Sequence, residues 1–187
     1  MKNAILLAIS ILLLNLTSFA QQNYQLNTKN SKLEWTGKAA FSSYSLSGTI
    51  NAKSGSLNVA DNQIQSAEIT INTKSIDASS KQLVQHLKSE DFFEVKTYPT
   101  AHFKLEKIII LNGQQTAKGW LTIKDKKAAF KCPVEIEISN DKVHFQGIAV
   151  IDRLTYGINY NSPSIFASLK DQAIADEFKL KFELVFE

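Results

Sequence analysis

The chain has 187 residues, with 21 Lys and Arg against 18 Asp and Glu, for a formal net charge of +3. The basic residues are scattered rather than gathered in a stripe, which argues against nucleic acid as a partner. The single cysteine, Cys132, excludes an internal disulfide framework, and the length suits one domain with its own core.

The first twenty residues have the pattern of an export signal. Met1 and Lys2 are followed by an apolar run from Ala4 to Leu16, broken only by Ser10 and Asn15, and then by Thr17-Ser18-Phe19-Ala20. A positive start, an apolar stretch and small residues at Ser18 and Ala20 predict a signal peptide over 1–20, cleaved after Ala20. The run is shorter than the roughly 20 apolar residues of a membrane-spanning helix. No cysteine follows to carry a lipid anchor. The expected product is a single domain over 21–187, periplasmic or secreted.

From there the pattern is alternation, the period of a half-buried strand. Leu33, Trp35, Gly37, Ala39 and Phe41 share one face, with Lys32, Glu34, Thr36 and Lys38 on the other. Tyr44 to Val59 reads as a strand pair or one long bent strand, with Gly48 and Gly55 at bends. Ala67, Ile69 and Ile71 form the next apolar face. Ser79 and Ser80 can cap a helix from Lys81 to about Ser89, with Leu83, Val84 and Leu87 as its apolar stripe. Asp91-Phe92-Phe93 turns the chain, and Pro99 holds Tyr98 extended. Ala101, Phe103 and Leu105 follow on one face. Cys132, Val134, Ile136 and Ile138 share another, which makes Cys132 a buried hydrophobe by phase. Val143, Phe145, Gly147, Ala149 and Ile151 come next. A second short helix is expected at Ser164 to Leu169. Phe178, Leu180, Phe182, Leu184 and Phe186 close the chain against Lys179, Lys181, Glu183 and Glu187.

Amphipathic strands in this number predict an all-β fold. The expected form is a single antiparallel β-barrel of about eight strands, with one or two short helices packed beside it. Closure removes exposed edges. Alternation alone leaves open whether such a barrel is hollow or filled by its own side chains.

One block is more specific. Ser89-Glu90-Asp91-Phe92-Phe93-Glu94-Val95-Lys96-Thr97-Tyr98-Pro99-Thr100-Ala101-His102-Phe103 resembles the signature of the YceI-like family. Trp35 to Phe41 with Leu46-Ser47-Gly48 is similar to that family's opening strand and glycine turn. Gly119-Trp120-Leu121-Thr122-Ile123 resembles its central strand, and Ile151-Asp152-Arg153 to Tyr156-Gly157-Ile158 its Arg-to-Gly-Ile segment. The likeness covers nearly all of 21–187 in the expected order. It departs at Lys124-Asp125-Lys126-Lys127, where the family often has a His-Gly-Val-Thr-Lys-like turn. The resemblance implies a lipocalin-like barrel whose interior holds a polyisoprenoid or similar long-chain lipid.

On that basis the candidate lipid-binding residues are Trp35, Phe41, Ile69, Ile71, Leu83, Leu87, Phe92, Phe93, Phe103, Leu105, Trp120, Phe145, Arg153, Phe178, Leu180 and Phe182. For each apolar member, ordinary core packing is the competing role. Trp120 has apolar neighbours in Leu121 and Ile123, so either face of its strand could point inward. Arg153 is the only arginine; its planar fork suits either a lipid head group or a structural carboxylate partner. The expected ligand is an isoprenoid quinone, a polyprenyl phosphate or a fatty-acid derivative, with no cofactor and no metal. Transient membrane contact and a homodimer are open expectations.

Two other classes compete. An outer-membrane β-barrel also carries a signal peptide and alternating strands, but with its apolar face outward. The helix and the terminal Glu187 speak against it. An enzyme would need a chemical constellation, and the three histidines, His86, His102 and His144, are scattered with no metal or nucleophile motif around them. A filled-core envelope protein with no ligand is the remaining alternative.

Overall fold

The computed structural model describes residues 21–187 apart from 140, 167, 170 and 171; the expected signal peptide lies outside the described residues. Nine strands follow in order: β1 (Gln22–Gln25), β2 (Lys32–Lys38), β3 (Ser45–Ala60), β4 (Gln63–Ala78), β5 (Thr100–Leu111), β6 (Gln114–Ile123), β7 (Lys126–Ile138), β8 (Val143–Asp152) and β9 (Glu177–Phe186). One helix, α1 (Lys81–Lys88), separates β4 from β5, and a 3-10 turn covers Leu154–Tyr156.

All pairings are antiparallel. The sheet runs β3-β2-β9-β8-β7-β6-β5-β4 and closes through β3 and β4 into an eight-stranded barrel, with β1 added on β3. Turn chemistry supports the meander. β3–β4, β5–β6 and β6–β7 are joined by two-residue turns at Asp61-Asn62, Asn112-Gly113 and Lys124-Asp125, all with positive φ. Such left-handed pairs match the twist of the flanking strands, and Asn, Asp and Gly adopt them most readily.

The apolar faces read from the alternation point inward. Leu33 and Trp35 on β2, Phe145, Ala149 and Ile151 on β8 and Phe182, Leu184 and Phe186 on β9 are buried, while the lysines and glutamates between them face out. This orientation is the reverse of a membrane-spanning barrel, whose outer band is apolar. Cys132 is buried beside Val134, as its phase requires. Tyr44 to Val59 forms one long strand rather than a pair. Its ladder with β4 slips at Thr49/Asn51, Ala52/Ser54 and Asn58/Val59. These bulges bend the strand so that it pairs with β1 and β2 on one side and β4 on the other.

Two expectations need correction, and one strand adds to them. β1 was not anticipated, because four residues are too few to show alternation; Tyr24 is its one buried side chain. The expected helix over 164–169 is absent from the described residues there, which form turns. On β6 the inward residues are Ala117, Gly119, Leu121 and Ile123, so Trp120 faces outward.

At one end the barrel is packed shut. Tyr24 pairs with Leu57, Leu26 bridges to Phe186, and Gln25 N–H donates to Glu187 O at 2.8 Å. Phe186 and Val143 there have no solvent exposure. The other end, under α1, is hollow.

Candidate functional site: an apolar cavity under the helix

The helix forms where the sequence places its start. The Ser80 hydroxyl accepts from Leu83 N–H at 3.2 Å, and the apolar stripe of Leu83 and Leu87 turns towards the barrel. Beyond its end, Phe93 N–H donates to Leu87 O and Glu94 N–H to Ser89 O, with Glu94 at φ 46°. This tight reversal sends Phe92 and Phe93 back under the helix. Phe93 then meets Phe178 of β9 edge-on, with ring centres 6.0 Å apart. Lys124, in the turn where the chain departs from the family pattern, fastens this segment from outside. Its ammonium donates to Glu90 O at 3.3 Å and lies 3.5 Å from Glu94 Oε2.

Between this cap and the barrel wall lies a cavity of about 320 Å³. That is within the roughly 300–1,000 Å³ of small-molecule sites. Its wall is almost wholly apolar and is drawn from seven of the eight barrel strands, β7 contributing none. Trp35, Leu46, Ile50 and Ile71 come from β2 to β4; Leu121, Ile151, Phe178 and Leu180 come from β6, β8 and β9. Leu83, Leu87, Phe92 and Phe93 roof it. Lys38, Tyr44, Gln172 and Glu177 line it and are also solvent-exposed, so they mark the mouth. A smaller void of about 70 Å³ lies deeper, among Ile69, Phe103, Phe130, Phe145 and Phe182. Ile71, Leu121, Ile151 and Leu180 border both spaces and separate them.

Most of the residues singled out from sequence converge here. Trp35, Ile71, Leu83, Leu87, Phe92, Phe93, Arg153, Phe178 and Leu180 line the larger cavity; Ile69, Phe103, Phe145 and Phe182 line the deeper void. Leu105 is buried core and borders neither. Two do not belong. Phe41 is 69 % exposed, because β2 ends at Lys38 and the chain leaves the barrel in a bend before reaching it. Trp120 is on the outer wall under the Lys127 ammonium, 4.9 Å from the ring centre.

Arg153 borders the cavity but spends its fork on the backbone. Its Nε donates to Ala175 O at 3.0 Å, Nη1 to Ile158 O at 2.7 Å and Nη2 to Ile174 O at 2.9 Å; Asp176 Oδ1 lies 3.5 Å from Nη2. The side chain therefore sews the segment before β9 to the end of β8. Desolvation lowers the guanidinium's pKa, opposed by Asp176 and Asp152. For Asp176 burial acts upward, but the hydroxyls of Ser162 and Ser164 and the charge of Arg153 outweigh it, and the carboxyl stays below its ordinary value. Of the two roles open for Arg153, these bonds match the structural one.

Sequence reading missed Leu46, Ile50, Ile76, Ile158 and the stretch 173–175, all of which line the cavity. Ile158 and 173–175 lie in irregular chain, which has no period to read. His86 faces the Phe-Phe turn. Its ring meets Phe92 and Tyr160 edge-on, and Nε2 is 3.1 Å from Asp91 Oδ2.

A barrel closed below, roofed by one helix over a Phe-Phe turn, and matched to the YceI-like domain over residues 24–186 decides the family. The chain belongs to the YceI-like family. Curated relatives include UPF0312 proteins of Vibrio cholerae, 29 % identical over 105 residues. That match covers 54 % of this chain and 56 % of theirs, so it spans about half the length of those relatives. Among solved structures, BcnA of Burkholderia cenocepacia superposes with a TM-score of 0.68 at 25 % identity, over 86 % of this chain and 98 % of its own. A polyisoprenoid-binding domain from Saccharophagus degradans has the same fold, with a TM-score of 0.66 at 12 % identity, over 88 % of this chain and 97 % of its own.

Proposed function

We propose that this protein is an exported, non-enzymatic carrier or store for a long apolar chain, a polyisoprenoid or a similar lipid, held in the cavity under α1. The observation that carries the reading is the cavity itself: open at one end and apolar almost throughout. The ligand named for the Saccharophagus degradans domain supports the polyisoprenoid class. The signal pattern over 1–20 supports export, and with it a periplasmic or secreted place of work.

The energetics suit a carrier. Removing a methylene from water is worth about 0.8 kcal/mol, so a forty-carbon chain would gain roughly 30 kcal/mol gross from water. Non-covalent affinities saturate near about 18–21 kcal/mol, so ordering costs are large. A membrane lipid starts in acyl chains, not water. Transfer to an apolar cavity changes its apolar exposure little, and a small net preference lets the carrier load and unload.

The test is native mass spectrometry of the mature chain, purified from a bacterial envelope without detergent, followed by solvent extraction. A stoichiometric isoprenoid or long-chain adduct supports the reading. A bare mass that stays bare after incubation with quinones, polyprenyl phosphates and fatty-acid derivatives overturns it.

A further inference from the structure

The outer wall over β6 to β9 has an unusual composition for a soluble barrel. Lys107, Lys118 and Lys131 stand directly opposite one another across β5, β6 and β7. Like charges placed opposite on adjacent strands destabilise a sheet. Glu106, 3.6 Å from Lys118, relieves only part of this row. Next to it, Ile148 and Val150 of β8 face outward at 51 % and 45 % exposure. Their partners on β9 are Lys181 and Lys179. Trp120, 39 % exposed, completes the patch beneath Lys127. Carboxylates flank these residues on the same strands: Glu135 on β7, and Asp152 opposite Glu177 at the ends of β8 and β9. Glu183, which pairs with Lys181 at 2.8 Å, and Glu34, opposite Lys181 on β2, stand at the edge. Lys127, Lys131 and Lys179 form no ion pair among the described residues.

We infer that this wall is a docking surface for an anionic lipid bilayer. The charge is complementary to acidic headgroups, and each surface lysine adds roughly 1 kcal/mol of attraction to such a membrane. An indole with aliphatic side chains among lysines is the composition that settles at a headgroup boundary. An acidic protein fits less well, since lysine is depleted at protein interfaces and the wall is dominated by it. Docking this way brings the mouth of the cavity to the membrane's edge, because Glu177 at the mouth is two residues from Lys179. The inference does not depend on what the cavity holds.

Co-sedimentation of the mature protein with vesicles tests it. Vesicles of phosphatidylcholine with 30 % phosphatidylglycerol, a composition of about one anionic lipid in three, should retain the protein at low salt, and pure phosphatidylcholine should not. Salt should reverse the retention, and Trp120 emission should shift to the blue on binding, a shift lost in W120F. The triple variant K127A/K131A/K179A should bind about a hundredfold more weakly. A control triple, K53A/K74A/K81A, should bind as the parent does, with circular dichroism showing both variants folded. Equal binding to neutral vesicles, or equal losses in the two triples, would overturn the inference. So would no vesicle binding with retention of polyglutamate, which would assign the wall to an acidic protein.

Discussion

The Trp35 indole packs against Gly48, so close that a Cβ at that glycine would sit 2.8 Å from Trp35 Cζ2. The same Cβ would fall 1.9 Å from Asp77 O, the carbonyl that accepts the Trp35 indole N–H at 3.2 Å. G48A should therefore move both the indole and the backbone of β4, at about 1–3 kcal/mol for overpacking. Urea unfolding of G48A against the parent measures this. An unchanged midpoint would mean that β3 shifts freely away from Trp35.

The four residues between the two voids should set how deep a chain can reach. L121A, which joins the voids, should retain longer chains at a stability cost of about 2–5 kcal/mol. L121W, which fills the joint, should lower total occupancy. W120A, one position along but outside the barrel, should leave occupancy unchanged. Extraction and chain-length analysis of the bound lipid compares the three.

Arg153 should act as a fastener rather than a head-group contact. R153K cannot reach Ile158, Ile174 and Ala175 at once, and losing bonds to a buried charge costs about 2–5 kcal/mol. Hydrogen exchange should rise first at the amides of Ile158 and 174–176. Asp176 has a depressed pKa, so its contribution is present above its ordinary 3.8 and is lost as pH falls through the lower folded value. Acid exchange should loosen the same amides in the parent before the barrel unfolds. If loosening starts instead at the closed end, around β1, the fastener assignment is wrong.

Burial pushes the Cys132 thiol from its ordinary 9.0 up to about 12. The thiol should resist alkylation at pH 8 in the folded protein and react on denaturation. The folded state keeps a proton that the unfolded chain releases above about 9. Stability should therefore be unaffected below that pH and fall by up to about 1.4 kcal/mol per pH unit between about 9 and 12. Urea midpoints at pH 7.5 and pH 10 for the parent and for C132A, which lacks the titration, isolate the effect.

The barrel was legible wherever burial alternates without interruption, as along Phe178 to Phe186. It was illegible where apolar residues fall on both faces. Trp120 sits between Gly119 and Leu121, and nothing local says that the small glycine faces in. Gly119 does so because Leu105 and the Lys104 carbonyl press against it; a Cβ would meet that carbonyl at 2.2 Å. Phe41 continued the phase of Trp35 and Ala39, but phase cannot report that pairing with β9 stops near Thr36 and the chain turns out. Arg153 was visible as a lone arginine. Its partners were not, because three of them are backbone carbonyls of an aperiodic segment about twenty residues away or less.

The short strand β1 has an effect out of scale with its length. With Tyr24 and Leu26 set against Leu57 and Phe186, the floor of the barrel has no exit. A chain-like occupant must go in and come out by one door, so its leading end travels deepest and its trailing end always waits at the threshold. A second molecule cannot push the first through; exchange has to begin with departure. For the carrier proposed above, whatever receives the cargo would meet the end left at the mouth.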